Sequence, residues 1–247
     1  MKRGKNFVGT SGWNYPHWQE TFYPPEVTKD GQLAFYTQNF TSVELNNSFY
    51  RQPTLENFIK WRDIVPKNFI FSVKANRFFT HMKKLNVNRV DLEKFVASCA
   101  VLGEKLGPIL FQLPPKWKLN IERLERFLNL LPAGYRYAFE FRDTSWYNNQ
   151  VYDTLKAYNC AFCIYHLDGH QSPLAVTADF TYIRLHGSGQ KYQGSYDLQS
   201  LCTWLDFASK LLKENKDVYL YFDNDEKGYA AFNAMQLEGL FREKFKI

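Results

Sequence analysis

No run of 18 apolar residues occurs anywhere in the 247-residue chain, so it contains no stretch suited to a membrane-spanning helix. The basic opening is followed by NFVGTSGWNY, too short and too glycine-rich to be the apolar core of a signal peptide. The expectation is a soluble, cytoplasmic protein with no membrane partner. Neither GxGxxG nor GxxxxGK[ST] is present, which removes sequence support for a nucleotide cofactor. No cofactor is expected. Cysteine is sparse, at Cys99, Cys160, Cys163 and Cys202. The CxxC of Cys160 and Cys163 lies in a strand-like run, where positions three apart point to opposite faces, and there is no second CxxC to complete a zinc knuckle. All four read as reduced thiols. Repeats, low-complexity tracts and linkers are also missing, so residues 1–247 are expected to form a single domain.

Charge is only mildly one-sided. Lys and Arg number 31 against 25 Asp and Glu, a net of +6, which permits an anionic substrate or a nucleic acid without choosing between them. The basic residues are scattered, with local concentrations at MKRGK and HMKK that read as solvated surface.

Apolar material is plentiful: 45% hydrophobic and 18% aromatic residues, 22 of them Phe and 16 Tyr, supply a sizeable core. Eight strand-like runs can be picked out: NFVGTSGW from Asn6, SVELNNSF from Ser42, NFIFSVKAN from Asn68, PILFQLP from Pro108, RYAFEFR from Arg136, CAFCIYHL from Cys160, TYIRLHG from Thr181 and DVYLYFDN from Asp217. Between most of them apolar residues recur at steps of three and four, predicting helices over 33–40, 55–64, 91–106, 121–131, 149–158, 198–213 and 229–241. The sixth connection, DGHQSPLAVTADF, shows no such period. The predicted fold class is α/β, a (β/α)8 TIM barrel with one helix missing or degenerate; an open doubly wound sheet is the rival.

Strand parity then locates the chemistry. In YAFEFR the bulky Tyr137, Phe139 and Phe141 suit the helix layer, leaving Ala138, Glu140 and Arg142 on the other face. The same split puts Ser42, Glu44 and Asn46 inside in the second strand, Ser72 and Lys74 in the third, Leu110 and Gln112 in the fourth, Tyr182, Arg184 and His186 in the seventh, and Tyr219, Tyr221 and Asp223 in the eighth. For the sixth strand the parity is ambiguous between Ala161, Cys163, Tyr165 and Phe162, Ile164, His166. Buried charges require partners or a ligand. Parallel strands of a barrel bring their carboxyl ends to one face, where such enzymes place their sites. One shared cavity at that face is the expectation.

Glu44 and Glu140 are candidates for general acid and base, with His186 as a proton relay. Lys74, Arg142 and Arg184 suit a carboxylate or phosphate. A metal site of Glu44, Glu140, His186 and Asp223 is conceivable, but the three cations nearby oppose it, and no metal is expected. The glycine-containing loops TSGWNY and HGSGQKYQGSY read as a phosphate cradle or as plain turns. Trp13, Tyr15, Trp18, Phe49, Tyr50, Trp146, Tyr192 and Tyr196 fall in loops beside the strand ends, either to stack on a flat ligand or to pack the loops.

The blocks GTSGWNYPHW, FYP, TSVELNNSFYRQP, FSVKANRFFTH, LGPILFQLPP, AFEFRDTSW, YIRLHG, YFDND and AAFNA resemble, in order, those of the DUF72 proteins, the group that includes the YecE-like proteins. The likeness covers about residues 7–240. It implies a TIM barrel, and motif positions at Trp13, Glu44, Asn46, Phe49, Tyr50, Lys74, Thr80, His81, Gln112, Glu140, Arg142, Trp146, Arg184, His186 and Asn224, with no catalytic roles attached. The leading expectation is a hydrolase, lyase or isomerase that binds a small anionic substrate, with Trp13, Asn46, Tyr50, Lys74, Gln112, Arg142, Trp146, Arg184 and Asn224 as contacts. The alternatives are a nucleic-acid-binding protein or metal-dependent phosphodiesterase, and a non-catalytic interaction scaffold. The oligomeric state is not legible.

Overall fold

A computed structural model describes residues 3–189 and 192–246. In chain order the elements are β1 (Asn6–Thr10), α1 (Gln32–Asn39), β2 (Ser42–Leu45), α2 (Leu55–Ile64), β3 (Ile70–Lys74), α3 (Arg89–Ala100), β4 (Leu106–Gln112) and α4 (Ile121–Leu128). They continue as β5 (Tyr137–Glu140), α5 (Asn149–Ala157), β6 (Ala161–Leu167), β7 (His170–Gln171), β8 (Phe180–Leu185), α6 (Leu198–Lys213), β9 (Asp217–Phe222) and α7 (Tyr229–Phe245). Local chemistry explains most helix starts. Thr54, Asn88, Asn120, Asn148 and Asp197 each accept a hydrogen bond from the backbone N–H three residues on, capping α2 to α6, each cap contributing about 1 kcal/mol.

The sixth connection indeed carries no helix. It turns through β7, which pairs antiparallel with the end of β6 at His166↔Gln171 and Leu167↔His170. The third helix is shorter than its periodicity predicts. It stops at Ala100, Gly103 adopts a left-handed φ of +60° that helical residues avoid, and β4 begins at Leu106, two residues before the predicted strand.

Two compact units divide the chain: residues 1–44, 164–172 and 179–247 in the first, and 45–163 with 173–178 in the second. In the first, β9 runs parallel to both β1 and β8, from Asn6↔Val218 to Thr10↔Phe222 and from Phe180↔Asp217 to Leu185↔Phe222. A parallel bridge joins Ser11 to Glu44, α7 packs on β1 and β9, and α6 packs on α7 and β9. Phe7 stacks on Tyr219 at 4.7 Å, and Ser42 Oγ meets Tyr221 OH at 2.6 Å.

In the second unit β4 lies between β3 and β5, both parallel to it, and β5 pairs in turn with the start of β6. The register slips once, since Phe71 faces Leu106 while Val73 faces Ile109. The extra residue in β4 falls at Gly107 and Pro108, where a proline without an N–H is tolerated. A Cβ on Gly107 would lie 2.6 Å from Ile70 Cγ2, so the bulge needs glycine. Phe111 centres the core beneath the helices, with Phe79, Phe95, Phe127, Tyr137 and Phe139 all within 6.3 Å of its ring. Burying an aromatic of this kind stabilises the fold by roughly 2 to 3 kcal/mol.

Candidate functional site

In the first unit the inward side chains at the strand ends form one continuous polar network. Glu44, the third residue of β2, is fully buried. Its Oε1 accepts from Ser11 Oγ at 2.6 Å and Arg184 Nη2 at 2.8 Å, and its Oε2 accepts from Tyr182 OH at 2.7 Å and Arg184 Nε at 3.0 Å. Arg184, likewise fully buried, thus grips Glu44 with two nitrogens, and its Nη2 also reaches Asp223 Oδ2 at 3.1 Å. The fork geometry suits a guanidinium. His186 completes the chain. Its Nε2 faces Arg184 Nη1 at 3.3 Å and its Nδ1 lies 3.0 Å from Asp223 Oδ2. Because a guanidinium only donates, Nε2 is the acceptor. Burial, then the carboxylate of Glu44, pushes the Tyr182 phenol far above its ordinary range. The Tyr15 phenol, which donates to the Ser11 carbonyl, is also raised by burial first, then by Asp223, Asp225 and Glu44, with Arg184 opposing.

Three residues past β9 stands Asp225. Its carboxylate accepts from Trp18 Nε1 at 2.6 Å and lies 2.9 Å from His17 Nε2, tying the short helix Pro16–Trp18 to the strand end. Desolvation raises its pKa from 3.8 to about 6, with Asp223 adding to the rise while Trp18 and His17 oppose it. Asn224 follows Asp223 at the same strand end. Fully buried, it donates to Gly194 O and to Asn233 Oδ1, both at 2.9 Å. Asn233, from AAFNA on α7, also accepts from Tyr196 N at 3.0 Å and donates to Tyr196 O at 3.1 Å. The two asparagines together fasten the segment 194–196. Gly187, at φ +121°, begins the loop leading to it, and a Cβ there would lie 2.2 Å from Gln193 O. Part of HGSGQKYQGSY, namely 190 and 191, lies outside the described residues.

The second unit carries a differently charged cluster. The register places Lys74 opposite Leu110, and Gln112 opposite Glu140, so Lys74, Gln112 and Glu140 share one face of β3, β4 and β5. Glu140 is fully buried and accepts from Arg142 Nε two residues further along. Cys163 Sγ approaches the other carboxylate oxygen at 3.7 Å, which settles the parity of β6: Ala161, Cys163 and Tyr165 share the Glu140 face, while Phe162 packs on Phe141 at 5.9 Å. Lys74 Nζ lies 4.6 Å above the Phe49 ring, a cation–π contact. Phe49 meets His81 edge-on at 5.0 Å, and Thr80 Oγ1 lies 2.9 Å from His81 Nδ1. Burial first, then Lys74 and Arg77, lowers the pKa of His81 and keeps it neutral. Glu140 pairs with Arg142, and Lys74 stands on the same strand face as Glu140.

The remaining expected contacts separate by environment. Trp146 is buried against Phe141 at 4.7 Å and donates to Trp117 O, and buried Trp13 lends its carbonyl to Tyr23 OH. Tyr50 is 74% exposed beside Phe49, and Asn46 Oδ1 is buried without a hydrogen-bond donor among the described residues. Sequence reasoning missed His17, Cys163, Asp225 and Asn233 as participants. Asp225 was within reach, since it continues the parity of Asp223; the other three depend on loop and helix placements that periodicity does not encode.

Eight parallel strands with helices between them, and a helix reduced to a short hairpin in the sixth connection, define the (β/α)8 TIM-barrel class. The chain belongs to the DUF72 family, described as a protein of unknown function, whose model matches residues 7–247. It is 25% identical to the UPF0759 protein YunF of Bacillus subtilis over 94% of this chain and 93% of that protein. It is 25% identical to the UPF0759 protein YecE of Escherichia coli over 57% of this chain and 50% of that one. A DUF72 family protein of Thermotoga maritima, known from its crystal structure, superposes with a TM-score of 0.86 at 28% identity, covering 98% of this chain and all of that one.

Proposed function

We propose that the protein is an enzyme that binds a small phosphorylated or carboxylated anion at the strand ends of the second unit. The observation that supports this reading is the placement of Lys74 and Gln112 on the same strand face as the buried Glu140, which Arg142 pairs with, while Lys74 and Arg77 both act on the nearby His81. Lys74 and Arg142 hold the anion, Gln112 orients it, and Glu140 moves the proton. For the first unit the same reading gives Glu44 the part of fixing Arg184, and His186 that of holding Asp223. Neither is given a proton to move, because Glu44 already accepts from three side chains and His186 Nε2 accepts from Arg184.

Thermal melting with inorganic phosphate and with citrate tests the proposal. Ligand at a hundred times its Kd should stabilise the fold by about 2.7 kcal/mol, and Lys74→Met or Arg142→Met should abolish the rise. Melting that no anion shifts would remove the reading.

A further inference from the structure

Resting on the anion-binding reading above, we infer that the ligand also carries a hydroxyl group, and that Asn46 selects it. Asn46 heads the short helix Asn47–Phe49, which is fastened to the end of β3: Ser48 Oγ donates to the Lys74 carbonyl at 2.6 Å, and Asn76 Nδ2 donates to Ser48 O at 3.1 Å. The turn bearing Asn46 is therefore fixed to the backbone of the residue whose ammonium lies over Phe49. Its Oδ1 is buried and meets no donor among the described residues. An acceptor left in that condition costs about as much as a lost hydrogen bond. A carboxylate or a fully ionised phosphate monoester does not relieve it, since each brings only acceptors and repels the amide oxygen. A ligand that joins an oxyanion to a hydroxyl satisfies both ends, the oxyanion against Lys74 and Arg142 and the hydroxyl against Asn46. Tyr50, exposed and edge-on to Phe49, offers a ring against which a short carbon skeleton can lie. The class indicated is a polyol phosphate or a hydroxy acid.

Calorimetric titration of the intact protein separates the possibilities. Glycerol phosphate is compared with methyl phosphate, glycolate with acetate, and inorganic phosphate serves as the reference. The hydroxylated member of at least one pair should bind about threefold to tenfold tighter, the span of one net hydrogen bond. Asn46→Leu should erase that preference. Equal affinities within both pairs overturn the inference while leaving anion binding intact, as does a preference that survives Asn46→Leu. Failure of every anion, inorganic phosphate included, removes the anion reading and this inference with it. The wild-type comparison decides the matter even where the variant does not fold.

Discussion

Removing either partner of the Glu44–Arg184 pair should unfold the protein at a markedly lower temperature. Both side chains are fully inaccessible, and the carboxylate receives two guanidinium nitrogens at 2.8 and 3.0 Å. In Glu44→Gln a neutral amide replaces the charge that balances Arg184, and in Arg184→Met the carboxylate loses its cation while keeping the Ser11 and Tyr182 donors. Breaking a buried pair from one side costs about 3 to 5 kcal/mol, because the other charge is left uncompensated. For a chain of this size each kcal/mol lowers the Tm by roughly 2 to 4 °C, so each single variant should melt about 6 to 20 °C below the parent. The double variant carries no orphaned charge in the pair and should lose about as much as one single change. That corresponds to a coupling energy of about 3 to 5 kcal/mol. Circular dichroism melts of the four proteins, with urea midpoints as a second readout, complete the cycle. Strictly additive losses, or single variants within 2 °C of the parent, would refute the claim that the two charges depend on each other.

Asp225 makes stability depend on pH. Its folded pKa of about 6 stands above the ordinary 3.8, so the folded state binds the proton more tightly. The stabilisation is complete below about pH 4 and disappears as pH rises through 6, a change of roughly 3 kcal/mol at about 1.4 kcal/mol per unit. Asp225→Asn should lack that slope; Tm curves parallel to wild type between pH 4 and 8 would count against it. The thiols give a separate check. Burial pushes Cys99 and Cys160 up to about 12 and Cys163 is buried, whereas Cys202 is partly accessible and all four are free. A thiol-selective reagent applied to the native protein at pH 8 should modify Cys202 first; prior labelling of any other would contradict the packing described.

The strand parities were legible because alternation is a local property of extended chain. Val43 and Leu45 against Ser42 and Glu44, and Ile183 and Leu185 against Tyr182 and Arg184, sort in the structure as their side-chain types suggest, with Glu44 touching both Tyr182 and Arg184. Helices 55–64 and 198–213 were read to the residue, since a cap marks each start. Pairing was harder to see. Nothing in YAFEFR says that Glu140 takes Arg142 as partner rather than a residue of a neighbouring strand, because that choice depends on the bend of the chain after β5. The loop aromatics were equally opaque: Trp146 and Tyr50 look alike as exposed-loop candidates, yet one is buried under Phe141 and the other stands in solvent. Sequence spacing does not reveal which ring the loop folds inward.

Because Glu140 and Arg142 are next-but-one neighbours on the same chain segment, covalent bonds set their separation. Substitutions in adjoining staves can shift this fixture bodily without pulling its ends apart. A lineage can therefore retailor the surrounding tips for a new ligand and never strand a lone carboxylate in the interior.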